Sequence, residues 1–529
     1  MLNKSINMVP SMIDVEPNTH LDLSPRSLSS ESIKPSSIFI SATTLTDSSS
    51  ESSLASYSNI QVELNEYLNI GKIKNDFDTI TLNFEESIYQ ALNISDNCML
   101  PCFNVVCDKQ LLSQPTGSFA VIDIGGSTLR VSVVKFLDGN NAHCIVNKSW
   151  TIEDSNKHLD RSFFKWIAFN FASLINDDLR NELKNNDGNI KVGITWSFPI
   201  IQNESSNRGI VSDLGKGFSI SDEFKGKDLK DIFENCFQNN GISIKIYSIV
   251  NDSISVFVTG AYFNNAKIGL VQGTGVNSCF LIDQSTLGEK KRGILKNTKD
   301  DKQLLINSEA SFLGSHLHDY ICNADKKMNQ NWNLMGDEDI IPPHLTTDKY
   351  GVFQPLEVLT SGRYIPEIVR RIMVERLCKN SLISIDETKS MYSLSAEFLA
   401  SLYQRHDRTE FKEELEELLS IGNLNLKSED LNMLKIITET VILRASLILS
   451  SYIIALVRVM KFTKLPELEI SVIGSMLQFF PNYKETVLDI LETESKKGDF
   501  PQISFDFIKD SSIYGASIAA FVNQERMGL

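Results

Sequence analysis

VIDIGGSTLR (residues 121–130) is an apolar run that breaks on Asp-Ile-Gly-Gly-Ser-Thr and resumes as LRVSVVKF. Each half carries the β-branched composition of a buried strand, so the segment predicts a hairpin. Its turn is too glycine-rich and too polar to serve packing alone. Glycine lets backbone N–H groups approach an anion closely. Asp123 adds a hard oxygen ligand suited to Mg²⁺, held directly or through water. Ser127 and Thr128 add hydroxyl donors.

The same design returns in KIGLVQGTGVNSCFLID (267–283), again strand, glycine-polar turn, strand. Between and around the two hairpins the chain alternates helical and strand patterns: RSFFKWIAFNFASLI, KVGITWSF, IKIYSIVND, SISVFVTGAYF. An α/β chain that repeats one supersecondary unit predicts two related lobes with the glycine turns facing each other across a cleft. Neither turn completes GxGxxG before a helix, and no GxxxxGK(S/T) is present, so both nucleotide fingerprints of that kind are excluded.

Bulk properties narrow the class. The chain has 529 residues, 42% hydrophobic and 22% charged, with a net charge of −16. An acidic surface argues against nucleic acid and against a basic membrane-docking face. The eight cysteines are scattered; only Cys98, Cys102 and Cys107 cluster, with no CxxC pair, which predicts reduced thiols and no zinc site. VILRASLILSSYIIALVRVM (441–460) contains Arg444 and Arg458, so it reads as a buried core helix and not a membrane span. No apolar leader follows Met1, and the expectation is a cytoplasmic protein, monomer or homodimer. Residues 1–58 are rich in serine and threonine with little apolar periodicity, the composition of a disordered tail.

Other single positions carry chemistry in context. In IVNDSISVF (249–257), Asn251 and Asp252 close a strand and enter a helix. Asp252 or Ser253 reads equally as that helix's N-cap or, for Asp252, as a general base at a strand's C-terminal end. Lys216, between Gly215 and Gly217, sits in a loop suited to closing over a ligand. Glu309 in INSEASF and Glu357 in PLEVLTSGRY stand in turn-like contexts. RTEFKEELEELLS reads as a solvated helix face.

Taken together and in order, these motifs resemble the hexokinase family, which has the two-lobed actin-like (ribonuclease H-like) ATPase fold. VIDIGGSTLRVSVVKF is similar to its first phosphate motif, TWSFP with GKGF to its sugar loop, and VNDSISVF to the stretch holding its catalytic aspartate. GTGVN is similar to the second phosphate motif, INSE and LEVLTSGRYIPE to sugar contacts, and VIGSM with SSIYGASIAA to the adenosine region. The resemblance covers about residues 60–529, and its wording is most similar to fungal N-acetylglucosamine kinases.

The resemblance implies ATP and Mg²⁺ as cofactors and a hexose as substrate, N-acetylglucosamine foremost, phosphorylated on its 6-hydroxyl. It implies Asp252 as base with Lys216 beside it. Ser197, Asn251, Asn277, Glu309 and Glu357 then contact the sugar. Asp123, Gly125, Gly126, Ser127, Thr128, Arg130, Gly273 and Thr274 surround the phosphates, with Asp123 on the metal. Gly474, Ser475 and Ser512 lie near adenosine. It further implies a helical segment 59–115 on the large lobe, a small lobe 116–252, a large lobe 253–505, and a helix 506–529 returning to the small lobe. Glucose or mannose as substrate, and a non-catalytic sugar-sensing regulator, are the alternatives. Two departures stand out: Gly215 replaces the family's threonine, and KDSSIYGAS lacks the usual glycines of the adenosine turn.

Overall fold

The computed structural model describes residues 51–95, 97–106, 117–137, 141–198, 200–211, 218–296, 298, 302–329, 331–332, 353–381, 390–405, 408–420 and 426–526. The serine-rich stretch 1–50, Cys107 and Gly215–Gly217 with Lys216 lie outside them.

Both quoted hairpins form, and each anchors a sheet. In chain order the strands are β1 (Leu100–Cys102), β2 (Gly117–Ile124), β3 (Thr128–Phe136), β4 (Ala142–Thr151), β5 (His158–Leu159), β6 (Ile190–Trp196), β7 (Ile200–Ile201), β8 (Ile210–Val211), β9 (Ser219–Ile220), β10 (Ile244–Val250), β11 (Ile268–Gln272), β12 (Val276–Asp283), β13 (Gln303–Asn307), β14 (Glu467–Ile473) and β15 (Gln502–Phe507). The first sheet runs β10-β6-β2-β3-β4. There β2–β3 and β3–β4 are antiparallel, whereas β2–β6 and β6–β10 are parallel.

The second sheet runs β15-β14-β11-β12-β13-β1. Here β11–β12 and β12–β13 are antiparallel, and β11–β14 and β14–β15 parallel. Apart from β1, the two sheets therefore have one topology: a hairpin, a third antiparallel strand, and two parallel strands added on the hairpin's other side. The internal repeat seen as two glycine turns is a repeat of whole sheets. β1 is the addition, an edge strand antiparallel to β13, and an edge is where Pro101 is tolerated.

The segment before the first hairpin is thus not purely helical. Its helices Glu51–Tyr67, Ile70–Asn75 and Phe77–Asn93 start earlier than residue 59 and are followed by β1. Their apolar faces (Leu64, Ile80, Phe84, Ile88) join the core built around the helix Ser428–Val459. That helix is long and apolar enough to cross a membrane, but 94% of its most apolar window is buried inside the protein. Its Arg444 pairs through both Nη atoms with Asp325 at 2.7 and 2.9 Å, both side chains fully buried. The helix Arg408–Leu418 is part exposed and part half-buried, and buries Phe411 and Leu415.

Two helices fill the space between the sheets. Asp252–Asn264 lies on the second sheet, Ser511–Arg526 on the first, and the two pack on each other. Residues 506–507 still belong to β15, so the C-terminal helix starts later than residue 506. Gly515 makes the helix crossing possible: a Cβ there would lie 2.4 Å from the Ser255 Cα. Hydroxyls fix the C-terminal helix in place, with Thr195 Oγ1 donating to the Ser512 carbonyl (2.6 Å), Thr259 Oγ1 to that of Ser511 (3.0 Å) and Ser248 Oγ to that of Ala516 (2.8 Å).

Candidate active site

Parallel strands of an α/β sheet offer their carboxyl ends to ligands, and here β2, β6 and β10 end side by side. Asp123 is the penultimate residue of β2, Ser197 follows β6, and Asn251 and Asp252 follow β10. Two strand spacings separate β2 from β10, which puts roughly 9–10 Å between the two carboxylate-bearing strand ends. They are near enough for the Asp252 charge to act on Asp123, raising its pKa.

Asp123 is 7% exposed. Burial is the largest influence and pushes its carboxyl above the ordinary value; the Arg130 guanidinium and the Ser512 hydroxyl pull the other way. Its Oδ2 accepts from Arg130 Nε (2.9 Å), Arg130 Nη2 (2.6 Å) and Ser512 Oγ (2.8 Å). No described residue donates to Oδ1. Arg130 Nη1 also reaches Asp510 at 3.1 Å. Arg130 is thus held by two carboxylates of its own chain, and its guanidinium fixes the Asp123 carboxylate. The turn that follows is tight, with Gly125 N donating to the Thr128 carbonyl at 2.9 Å and Ser127 exposed at the tip. Gly126 is half-buried beside it. Ser197 is half-buried and its N donates to the Ile124 carbonyl at 3.2 Å, which places it at the base of that turn.

Asn251, and neither Asp252 nor Ser253, caps the helix: its Oδ1 accepts from Ser253 N at 3.0 Å. Asp252 is the first helical residue and is half-buried. With Asn251 as the cap, Asp252 keeps its carboxylate at the strand end. Ser253 Oγ lies 3.0 Å from both Asn251 Oδ1 and Asn307 Oδ1.

The second hairpin brings a polar cluster to the same region. Asn277 Oδ1 accepts from Ser278 N (2.7 Å) and Ser308 Oγ (3.0 Å), while its Nδ2 donates to Asn307 Oδ1 at 2.9 Å. Asn307 Nδ2 donates to Glu309 Oε1 at 2.8 Å. Behind Asn277, Ser278 Oγ is 2.7 Å from Tyr452 OH on the long core helix, which ties this hairpin to the helical core. Glu309 has φ 44° and ψ 46°, left-handed backbone that a non-glycine residue keeps only where its surroundings impose it.

Glu357 is helical, in Pro355–Thr360, and not in a turn. Its Oε2 accepts from Val276 N at 3.2 Å, directly beneath Gly275, where a Cβ would lie 2.6 Å from the carboxylate. Gly362 N donates to the Gly273 carbonyl (2.8 Å) and Arg363 N to that of Thr274 (3.2 Å). Gly474 crosses the same turn, with φ 129° and no room for a side chain against the Gln272 carbonyl carbon, 2.3 Å from a built Cβ. Ser475 is exposed at the start of the following helix. Two β11–β14 neighbours thus bring Gly273, Thr274, Gly474 and Ser475 together.

Asn307, Asp510 and the Gly362–Arg363 backbone are site elements that local sequence reading passed over. Asn307 adjoins the quoted Glu309, so a reading that asked what holds each carboxylate would have found it.

A hexokinase family model matches residues 65–262, and a second hexokinase model matches residues 267–522. The chain belongs to the hexokinase family. N-acetylglucosamine kinase 1 of Candida albicans is 28% identical over 447 residues, covering 80% of this chain and 85% of that protein. A hexokinase of Emericella nidulans is 24% identical, with coverage of 78% and 80%. The hexokinase of Schistosoma mansoni complexed with glucose has the same fold, at a TM-score of 0.67 and 22% identity over 88% of this chain and 99% of that one. The two sheets of one topology are the two halves of the actin-like ATPase fold, and the protein is a hexokinase-family sugar kinase.

Proposed function

We propose that this hexokinase-family protein transfers the γ-phosphoryl group of ATP to the 6-hydroxyl of N-acetylglucosamine. The observation that carries the reading is Asp252 at the end of β10, in the same row of strand ends as Asp123. Asp252 takes the proton of the sugar hydroxyl as its oxygen forms a bond to the γ-phosphorus; the bond to the β-phosphate oxygen breaks and the electron pair leaves with ADP. Such positioning and charge neutralisation are most of what phosphoryl transfer requires. Asn251, Asn277, Glu309, Glu357 and Ser197 would hold the sugar, with Lys216 from its loop. The two glycine turns, with Thr128, Thr274 and Ser127, would receive the phosphates on backbone N–H and hydroxyl groups, and Gly474, Ser475 and Ser512 would border adenosine.

Among the described residues no three His, Cys, Asp or Glu side chains form a group able to hold a metal ion. Mg²⁺ does not need one, because it binds through one or two carboxylates plus substrate phosphates. Asp123 fits that role through Oδ1, since its donors all fall on Oδ2. Bound magnesium supplies charge neutralisation on the phosphates. The choice of N-acetylglucosamine rests on the motif wording and on the Candida albicans relative.

The test is ADP release by purified protein with ATP and Mg²⁺ against N-acetylglucosamine, glucose, mannose and glucosamine. Turnover is expected with all or some of these hexoses and fastest with N-acetylglucosamine. A preference for glucose would overturn the substrate, and silence on every sugar would overturn the activity.

A further inference from the structure

Asn307 closes β13, is 7% exposed, and joins three parts of the site through one planar amide. Its Oδ1 accepts from Asn277 Nδ2 on the second hairpin at 2.9 Å and from Ser253 Oγ on the first turn of the Asp252 helix at 3.0 Å. Its Nδ2 donates to Glu309 Oε1 at 2.8 Å. A carboxamide offers an acceptor and a donor side by side on one rigid plane. Aspartate would keep the acceptor but set a second carboxylate against Glu309.

Ser253 makes this linkage responsive. Its hydroxyl has one hydrogen and two acceptors at the same 3.0 Å, Asn251 Oδ1 and Asn307 Oδ1. Donated to Asn251, it completes the cap of its own helix. Donated to Asn307, it ties the β10 strand end of the first sheet to the β13 strand end of the second. Glu309, at the far end of the amide, has its backbone in the left-handed region and its Oε1 on Asn307 Nδ2.

We propose that Asn307 is a positioning residue that couples sugar engagement at Glu309 to the first turn of the helix carrying Asp252, with the Ser253 hydroxyl as the movable joint. The roles of Glu309 and Asp252 rest on the kinase reading above. Sugar bound to Glu309 fixes the Asn307 plane, the plane draws the Ser253 hydrogen across, and the Asp252 carboxylate is held against the 6-hydroxyl. Without the joint, sugar still binds but Asp252 is poorly aimed. Misplacement on that scale costs on the order of 10²-fold in rate.

The experiment compares wild type, Ser253→Ala, Ser253→Thr and Asn307→Asp. It measures kcat, KM for sugar and for ATP, thermal melting, and hydrogen exchange of peptides covering residues 251–257 with and without N-acetylglucosamine. Ser253→Ala should lower kcat with little change in either KM, and Ser253→Thr should restore it. Asn307→Asp should raise sugar KM roughly tenfold or more, the loss of a hydrogen bond to a charged group, and leave ATP KM unchanged. Sugar should slow exchange over 251–257 in wild type and Ser253→Thr but not in Ser253→Ala. If Asn307→Asp does not fold, the two serine variants carry the test alone. Equal kcat in wild type and Ser253→Ala, or sugar protection of 251–257 that survives the loss of the hydroxyl, overturns the proposal. A wild type that protects 251–257 with sugar yet turns over none overturns the kinase reading and leaves the coupling standing.

Discussion

Asp252 and Asp123 are both strand-end carboxylates, but their surroundings divide their work. Three donors fall on Asp123 Oδ2, and burial holds its pKa above the ordinary carboxylate value. Among the described residues Asp252 accepts from Ser253 N alone, at 2.8 Å, and it is half-buried. Asp252→Ala should therefore lower kcat by about 10²- to 10⁴-fold, the usual contribution of a general base, with an unchanged melting temperature. A variant that turns over at the wild-type rate removes Asp252 from the chemistry. Asp123 also makes a pH prediction. Because the folded carboxyl keeps its proton to higher pH than the unfolded one, the folded state binds more protons between the two pKa values. Stability from this group is then greatest below the unfolded pKa of about 4 and declines as pH rises towards the folded value. Asp123→Asn removes that slope, so its urea-unfolding free energy should rise relative to wild type between acidic and neutral pH. Parallel curves would contradict the assignment. Far from the site, Arg444 and Asp325 form a fully buried pair. Arg444→Met leaves the Asp325 charge unpaired and should cost about 3–5 kcal/mol in chemical denaturation.

Among the elements, the two helices between the sheets are packed too closely for added volume at Gly515. Gly515→Val would drive a branched side chain into the Ser255 backbone, and overpacking of that kind costs about 1–3 kcal/mol; equilibrium denaturation measures it. What could be read from the sequence follows the range of the interactions involved. The hairpins were plain because a glycine-polar turn between β-branched runs is a local signal. The core character of 441–460 was plain because Arg444 and Arg458 forbid lipid. The roles of single residues depended on distant partners and were less legible. Asn251 took the cap that Asp252 or Ser253 was expected to provide, because its own Oδ1 faces Ser253 N. Glu357 is helical since Pro355 at the first helical turn starts a helix there. Arg130 is shared between Asp123 and Asp510, which lies 380 residues away. No spacing rule announces such a pair.

At the scale of the whole molecule, two sheets of one topology meet through helices 252–264 and 511–526, and the residues proposed to hold the sugar come from both halves: Asn251 follows the first sheet, Asn277 and Glu309 belong with the second. A sugar bridging both should draw the halves together and exclude water, which otherwise competes as phosphoryl acceptor. Small-angle scattering should therefore show a smaller radius of gyration with N-acetylglucosamine than without it; an unchanged radius would contradict closure. The most direct measurement of the central claim is kcat/KM for N-acetylglucosamine beside glucose, with the product's phosphate position assigned by ³¹P–¹H correlation. The account predicts the larger value for N-acetylglucosamine and phosphate on O6. No phosphorylated sugar, or phosphate on another hydroxyl, would contradict it.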